Sequence, residues 1–256
     1  MSRLMIVQPR PFSVSVSRGT GAPNLATRDP KEVWADSGSG GAATINIDLG
    51  TVQPIDTIFL GALRGAASGA TWAITGGAAG AAEFTVQPTT ALRVPDIAGD
   101  VAAVSHALWT GAGPVQTRYL AITITQPAGA APLSAGVLVA GRAFVAALGH
   151  EWGAGRQPID TGTATPLPGG GFAIVEGAHK RLFTWTFGDL SIDEADRLEA
   201  IALALGETSP ALVIEDADRT AGLVARIHYG LFRRWPAYER RNRRQTRWEI
   251  GIEQWV

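Results

Sequence analysis

The chain of 256 residues contains no cysteine. That absence excludes a disulfide scaffold, a thiolate-ligated zinc and a thiol nucleophile together, so the fold must be held by packing and hydrogen bonds. Long apolar runs are missing as well. Nowhere do about 18 apolar residues follow one another, and Met1 to Arg10 holds no run of signal-peptide length. The expectation is a protein made in the cytoplasm, with no membrane insertion. Neither sign of charge dominates: 22 Lys and Arg against 23 Asp and Glu leave a formal net charge of -1, which gives no bulk attraction to nucleic acid or an anionic membrane.

Catalytic signatures are equally scarce. The four histidines, His106, His150, His179 and His228, form no i, i+4 pair, so a zinc-hydrolase helix is excluded. Ser37 to Gly41 is a flexible small-residue run without a partnered histidine, and no nucleophile elbow is present. Gly169, Gly170 and Gly171 lack the following Lys-Ser/Thr of a phosphate loop and read as a hairpin or mobile loop. Glu215, Asp216 and Asp218 sit between two apolar runs, where a turn explains them without a metal. No enzyme, cofactor or metal is expected.

What the chain does have is 31 Gly and 15 Pro in a body of slightly positive mean hydropathy, +0.10, a composition suited to many strands and turns. Short apolar runs recur between turn-rich gaps: 12–16, 44–49, 57–63, 70–75, 83–86, 101–108, 119–125 and 136–140. Many alternate with period two, as half-buried antiparallel strands do. The cleanest is Tyr119 to Thr125, with Leu120, Ile122 and Ile124 opposed by Tyr119, Ala121 and Thr123.

Charge then rises along the chain. Residues 1–143 carry 9 Lys and Arg and 8 Asp and Glu, whereas the remainder carries 13 and 15. This shift places a domain boundary between 1–143 and 144–256. In the second part Ser191-Ile192-Asp193-Glu194 forms a capping box, in which the Ser hydroxyl and the Glu carboxylate satisfy free N–H groups of a first helical turn. Ile192, Ala195, Leu198, Ile201, Ala202 and Leu205 follow at helical spacing, and Gly206 stands where a C-terminal cap belongs. The spacing predicts a helix over about 191–205, with strands around it at 181–187, 211–214, 222–230 and 246–256. The fold class expected is mainly β: a jelly-roll sandwich followed by a β-barrel or sheet with one packed helix.

Two resemblances add to this reading. Asn24, Asp29-Pro30, Val33-Trp34, Ile45 to Gly50, Ile55 to Ile58, Ala70 to Ile74 and Arg118 to Ile122 resemble the discoidin-like (galactose-binding-like) jelly roll over about residues 20–143. The resemblance implies loops at one end of a sandwich that bind sugars, phospholipids or proteins. Arg181 to Phe187, the helix from Ser191, Pro210 to Ile214, Tyr229-Gly230 and Arg247 to Trp255 resemble distal tail and tail-tip (baseplate) proteins of long-tailed bacteriophages and gene transfer agents. That resemblance implies a homo-oligomeric ring in a virion tail, with the tail tube, hub and tape measure as partners and cell-surface carbohydrate as a possible target. The alternative is a free-standing carbohydrate-binding module without a virion role.

Candidate site residues fall into two groups. Trp34, Asp36 and Trp109 lie in or near expected loops of the first part and are the candidates for a ligand, since indole faces stack on sugars and apolar surfaces. Arg233, Arg234, Arg240, Arg241, Arg243, Arg244 and Arg247 place seven guanidinium groups within 15 residues, interleaved with Trp235, Tyr238 and Trp248. Such a cluster suits phosphates and bases, solvated strand faces, or a subunit interface. Glu239, Glu249 and Glu253 lie among the arginines and weigh against nucleic acid, so Arg233 to Arg247 with Trp248 are assigned to a subunit interface.

Overall fold

The structure, a computed structural model, describes residues 4–97, 103–242 and 244–255. It is mainly β with a single α-helix among the described residues, and divides into two compact units. The first comprises 3–145 together with 212–227, and the second comprises 146–211 together with 228–256. The chain thus returns to the first unit after the helix. The reason is a strand pairing, described next.

The first unit contains β1 (Met5–Pro9), β2 (Ser13–Val16), β3 (Trp34–Ala35), β4 (Gly41–Leu63), β5 (Thr71–Gly77), β6 (Phe84–Ala91), β7 (Ser105–Gln126), β8 (Ser134–Ala135) and β9 (Val137–Val145). All pair antiparallel. β4 and β7 are the spine: each reads in sequence as two short runs, and each is one long strand whose register shifts between Asp48 and Gln53 and again between Ile55 and Thr57. Such irregularities bend and twist a strand. The early half of β4 pairs with β2 and with the late half of β7, which continues to β5 and β6. The late half of β4 pairs with β9 and the early half of β7.

Inward side chains from both halves meet in one cluster. It includes Ile45, Ile47, Ile58, Leu60, Trp72, Ile74, Leu120, Ile122 and Ile124, the residues singled out by period-two alternation. β1 was not expected. Its Met5, Ile6 and Val7 are all fully buried, so the strand shows no alternation to read. It lies between β9 and Ala211–Ile214, pairing Met5 with Ile214 and Val7 with Leu212. That pairing is what draws 212–227 into the first unit.

The second unit holds β10 (Gly155–Asp160), β11 (Thr163–Pro166), β12 (Phe172–Val175), β13 (His179–Leu190), α1 (Ile192–Leu205), β14 (Ala211–Ile214, whose residues from Leu212 belong to the first unit), β15 (Ile227–Arg234), β16 (Glu239–Arg240) and β17 (Thr246–Gln254). The strand order is β10-β13-β17-β15, with β16 on β17. The expected strand over 222–230 begins later, because 224–226 forms a 3-10 turn.

Alternation along β13 buries Phe183, Trp185 and Phe187, which face Ile252, Ile250 and Trp248 of β17. Phe183 stacks on Trp185 at 5.1 Å and on His228 at 5.0 Å, and Trp185 meets Phe187 edge-on. The helix closes over this aromatic layer with Ala195, Leu198, Ala202 and Leu205 buried. Its capping box forms as expected: Glu194 N–H donates to the Ser191 hydroxyl at 3.3 Å, and Ser191 N–H donates to the Glu194 carboxylate at 2.8 Å. Gly206 ends the helix at φ 56, a conformation that favours glycine.

Candidate interaction surfaces

In the first unit the structure brings Trp34 and Asp36 together. Trp34 on β3 is fully buried, and its indole N–H donates to the Arg18 carbonyl at 3.2 Å. The Asp36 carboxylate is 2% exposed and receives the Arg18 guanidinium twice, each contact at 2.7 Å. It also accepts from Gly38 N–H, while Arg18 reaches the Gly40 carbonyl at 2.9 Å. These residues form a buried clasp that holds the 36–41 loop on the sandwich. In this conformation Trp34 offers no ring face to a ligand, and the Asp36 oxygens are taken. Trp109 differs. It stands on β7 opposite Ile58, half-buried against the core, with its six-membered ring lying over Gly111. Only Trp109 of the three keeps part of its surface open.

A second polar pair holds the bend of β4. Arg118 donates from two nitrogens to Asp48 at 2.8 and 3.0 Å, and its guanidinium lies 4.6 Å from the Tyr119 ring centroid. The Arg118 hydrogen bond, with Gly50 N–H, holds the Asp48 carboxyl below the usual carboxylate range.

The arginine group of the second unit is dispersed. Arg233 and Lys180 both pair with Glu253, which is only 13% exposed. Arg241 and Arg247 converge on Glu151 at 3.6 and 3.8 Å. Arg240 and Arg244 are exposed, with no ion pair among the described residues. Arg234 ends β15, and Arg243 lies outside the described residues. Trp248 is a core residue, 4% exposed, whose indole N–H donates to the Pro236 carbonyl at 2.9 Å. It packs inside the unit and gives only a small part of its surface to the groove beside the helix.

A ribbon with an exposed apolar face lies outside both groups of candidate residues. β10 pairs with the start of β13, and beyond Asp160 and His179 the two chains continue as β11 and β12, making one ribbon. The register slips by one residue at Gly162 and Gly177, where the backbones approach so closely that a Cβ on Gly177 would sit 2.0 Å from Gly162 N. Leu167 and Gly171 close the tip. Every residue from Thr163 to His179 is exposed.

Directly paired residues share a face, so Ala164 with Ile174 and Pro166 with Phe172 line one side of the ribbon. Phe172 is 63% and Ile174 70% exposed. The hairpin expected at Gly169 to Gly171 forms, and the two short runs on either side of the triplet are its strands.

The same unit carries an apolar groove of about 530 Å³ beside the helix, lined by Ala202, Leu203, Trp235, Ala237, Tyr238 and Trp248, with Glu199 at its margin. Trp235 is fixed by its N–H on the Gly206 carbonyl at 3.0 Å. Leu203 stands 80% exposed beside it. Among the described residues no group of three or more His, Asp or Glu is arranged to hold a metal ion, and no helix is long and apolar enough to cross a membrane.

No family model matches the chain, and no curated protein matches it. Solved structures do. Chitosan-binding module 1 of a chitosanase/glucanase from Paenibacillus sp. IK-5 is 14% identical, with 51% of this chain and 94% of that one covered and a TM-score of 0.39. CpGH89CBM32-6 of Clostridium perfringens is 11% identical, with 51% and 92% covered and a TM-score of 0.38. The family 32 CBM of NanJ from C. perfringens, solved with galactose, is 14% identical, with 53% and 98% covered and a TM-score of 0.35. Each spans about half of this chain.

Proposed function

We propose that this chain is a structural assembly protein of the tail-tip class that its second half resembles, with no catalytic role. The observation that carries the reading is the 155–179 ribbon. A two-stranded ribbon is at best marginally stable alone in water, and this one presents Pro166, Phe172 and Ile174 on one face with nothing of its own unit over them. Exposed apolar surface of this kind marks a protein contact. The mass of the purified protein under native conditions tests the reading. A defined oligomer, or a stable complex with tail tube or hub proteins, is expected, and a monomer at all concentrations that binds none of them would overturn it.

Carbohydrate binding by the first unit is the second reading. It is supported by the discoidin-like resemblance of residues 20–143 and by Trp109, the candidate residue whose ring remains partly open on β7. In that reading the first unit adheres to cell-surface glycan while the second unit assembles. Calorimetric titration with chitosan oligomers and with galactose tests it, and no heat with either would set it aside.

A further inference from the structure

We infer that the outward face of the β13–β17–β15 sheet in the second unit is a cleft for a neutral oligosaccharide. It uses neither the apolar ribbon face nor Trp109, and so depends neither on assembly nor on sugar binding by the first unit. Alternation along β17 sends Trp248, Ile250 and Ile252 into the core and leaves Arg247, Gly251 and Glu253 half-buried on the opposite face, with Glu249 exposed among them. Leu182 and Thr184 of β13 lie beside that row.

Two hollows lie on this face, of about 530 Å³ and about 440 Å³, sizes that suit small-molecule sites, and Arg233 lines both. The first also holds Lys180, Glu207, Glu253 and Trp255, and the second Arg247, Glu239 and Glu249. From Glu253 to Arg247 the row runs about 20 Å at the rise of a strand, long enough for several linked sugar rings.

Charge selects the class of ligand. Each hollow sets two cations against two carboxylates: Lys180 and Arg233 against Glu207 and Glu253, then Arg233 and Arg247 against Glu239 and Glu249. Glu253 is already paired with both Lys180 and Arg233. A polyanion or a polycation would therefore meet repulsion as well as attraction in either hollow. A hydroxyl both donates and accepts, so a polyol answers carboxylate and cation alike without parting the pairs. The Trp255 indole adds an apolar surface for the C–H side of a sugar ring. A peptide is less suited, because β17 is hydrogen-bonded to β13 on one side and β15 on the other and offers no free strand edge to its backbone. Gly251 keeps the floor of the second hollow low: a Cβ there would project onto this face, 3.1 Å from Thr184 Cγ2 and 3.6 Å from Leu182 Cδ1.

The test titrates the full chain calorimetrically with cellohexaose, maltohexaose and mannohexaose, and in parallel with heparin as a polyanion. Binding of at least one neutral hexasaccharide is expected, with an affinity little changed by added salt. Trp255→Ala, Glu249→Ala and Gly251→Ile should each weaken it at least tenfold, and Trp109→Ala should leave it in place. Gly251→Ile should be no less stable than the wild type, because a β-branched residue suits a strand that glycine weakens. Its loss of binding is then not a loss of fold. If a hexasaccharide binds Trp255→Ala and Gly251→Ile as tightly as the wild type but Trp109→Ala poorly, the sugar sits on the first unit, and this inference falls while that reading stands. Heparin binding that salt abolishes and Arg233→Ala removes would overturn it in favour of an anionic ligand. No heat with any of the three neutral hexasaccharides would overturn it outright.

Discussion

Arg18 and Asp36 form a two-point ion pair, Nε and Nη2 each 2.7 Å from a carboxylate oxygen, on an Asp36 side chain that is 2% exposed. Removing Asp36 leaves the Arg18 guanidinium, itself 27% exposed, without its partner. Asp36→Ala should therefore cost about 2–3 kcal/mol of unfolding free energy, less than a fully buried pair because solvent reaches the remaining charge. Denaturant titration checks it. A loss below about 1 kcal/mol, the range of exposed pairs, would show that the clasp does not hold the loop.

Glu253 and Glu151 each collect two basic side chains, but their settings differ. Glu253 is 13% exposed between Lys180 and Arg233, whereas Glu151 is 34% exposed and its arginines lie at 3.6 and 3.8 Å. Solvent screens the second arrangement. Glu253→Ala is expected to destabilise by about 2–3 kcal/mol, reduced from a fully buried pair by its residual exposure, and Glu151→Ala by about 0–1 kcal/mol. Equal losses in parallel denaturation curves would contradict the ordering.

Glu194 joins the helix start to the chain leading into it. Burial opposes its ionisation, but N–H groups of Ala147 and Ser191, the Ser191 hydroxyl and Arg197 together hold its carboxyl below the usual range. A carboxyl lowered on folding binds fewer protons folded than unfolded. Its contribution is fully present above the ordinary glutamate value and is lost as pH falls through the lower folded one. Stability should thus fall on acidification, with a smaller acid slope in Glu194→Gln. Ser191→Ala should cost about 1 kcal/mol near neutrality. Unfolding measured against pH separates the two effects, and an unchanged slope in Glu194→Gln would refute this linkage.

The elements that could be read from the residues are those whose local pattern agrees with their surroundings. Tyr119 to Thr125 alternates because one face meets a core, and Ser191 to Glu194 announces a helix because capping is local chemistry. β1 escaped notice because both of its faces are buried. β4 and β7 looked like four runs because their bulges interrupt the alternation. The ribbon faces no core, so no periodicity marks it.

For the candidate sites the missing information was long-range. Trp34 lies among glycines and prolines that signal a loop, yet it belongs to the buried core cluster, and its strand pairs with β8 at Ala135, far away in sequence. Arg241 and Arg247 are assigned to a subunit interface on sequence, whereas the fold brings Glu151 to them from a distant segment. Composition around an arginine shows what could pair with it, and only the fold shows what does.

The ribbon depends on Gly177. A Cβ there would meet Gly162 N at 2.0 Å and Thr161 C at 2.3 Å, both backbone atoms that cannot swing aside. Gly177→Val should break the one-residue slip that joins β10–β13 to β11–β12, while the body of the unit, built on β13, β15 and β17, stays folded. Hydrogen exchange should show faster exchange from Thr161 to Ala178 with unchanged protection in β17. Assembly should weaken with it, since the apolar face needs both strands in register.

Trp34 and Trp109 offer the clearest separation of folding from binding. Trp34 is fully buried with its indole N–H on a carbonyl, so Trp34→Ala should cost about 3–5 kcal/mol, and any loss of glycan binding should follow from unfolding. Trp109 packs with only part of its ring on the core, so Trp109→Ala should cost about 1–2 kcal/mol, below the range for a fully buried Trp. If the first unit binds sugar through that ring, affinity should drop at least tenfold in a protein that calorimetry shows to be folded, because stacking on an aromatic face is lost. Should Trp109→Ala bind glycan as tightly as the wild type, the sugar face lies elsewhere on the unit, and Arg118 and Tyr119 on β7 become the next to alter.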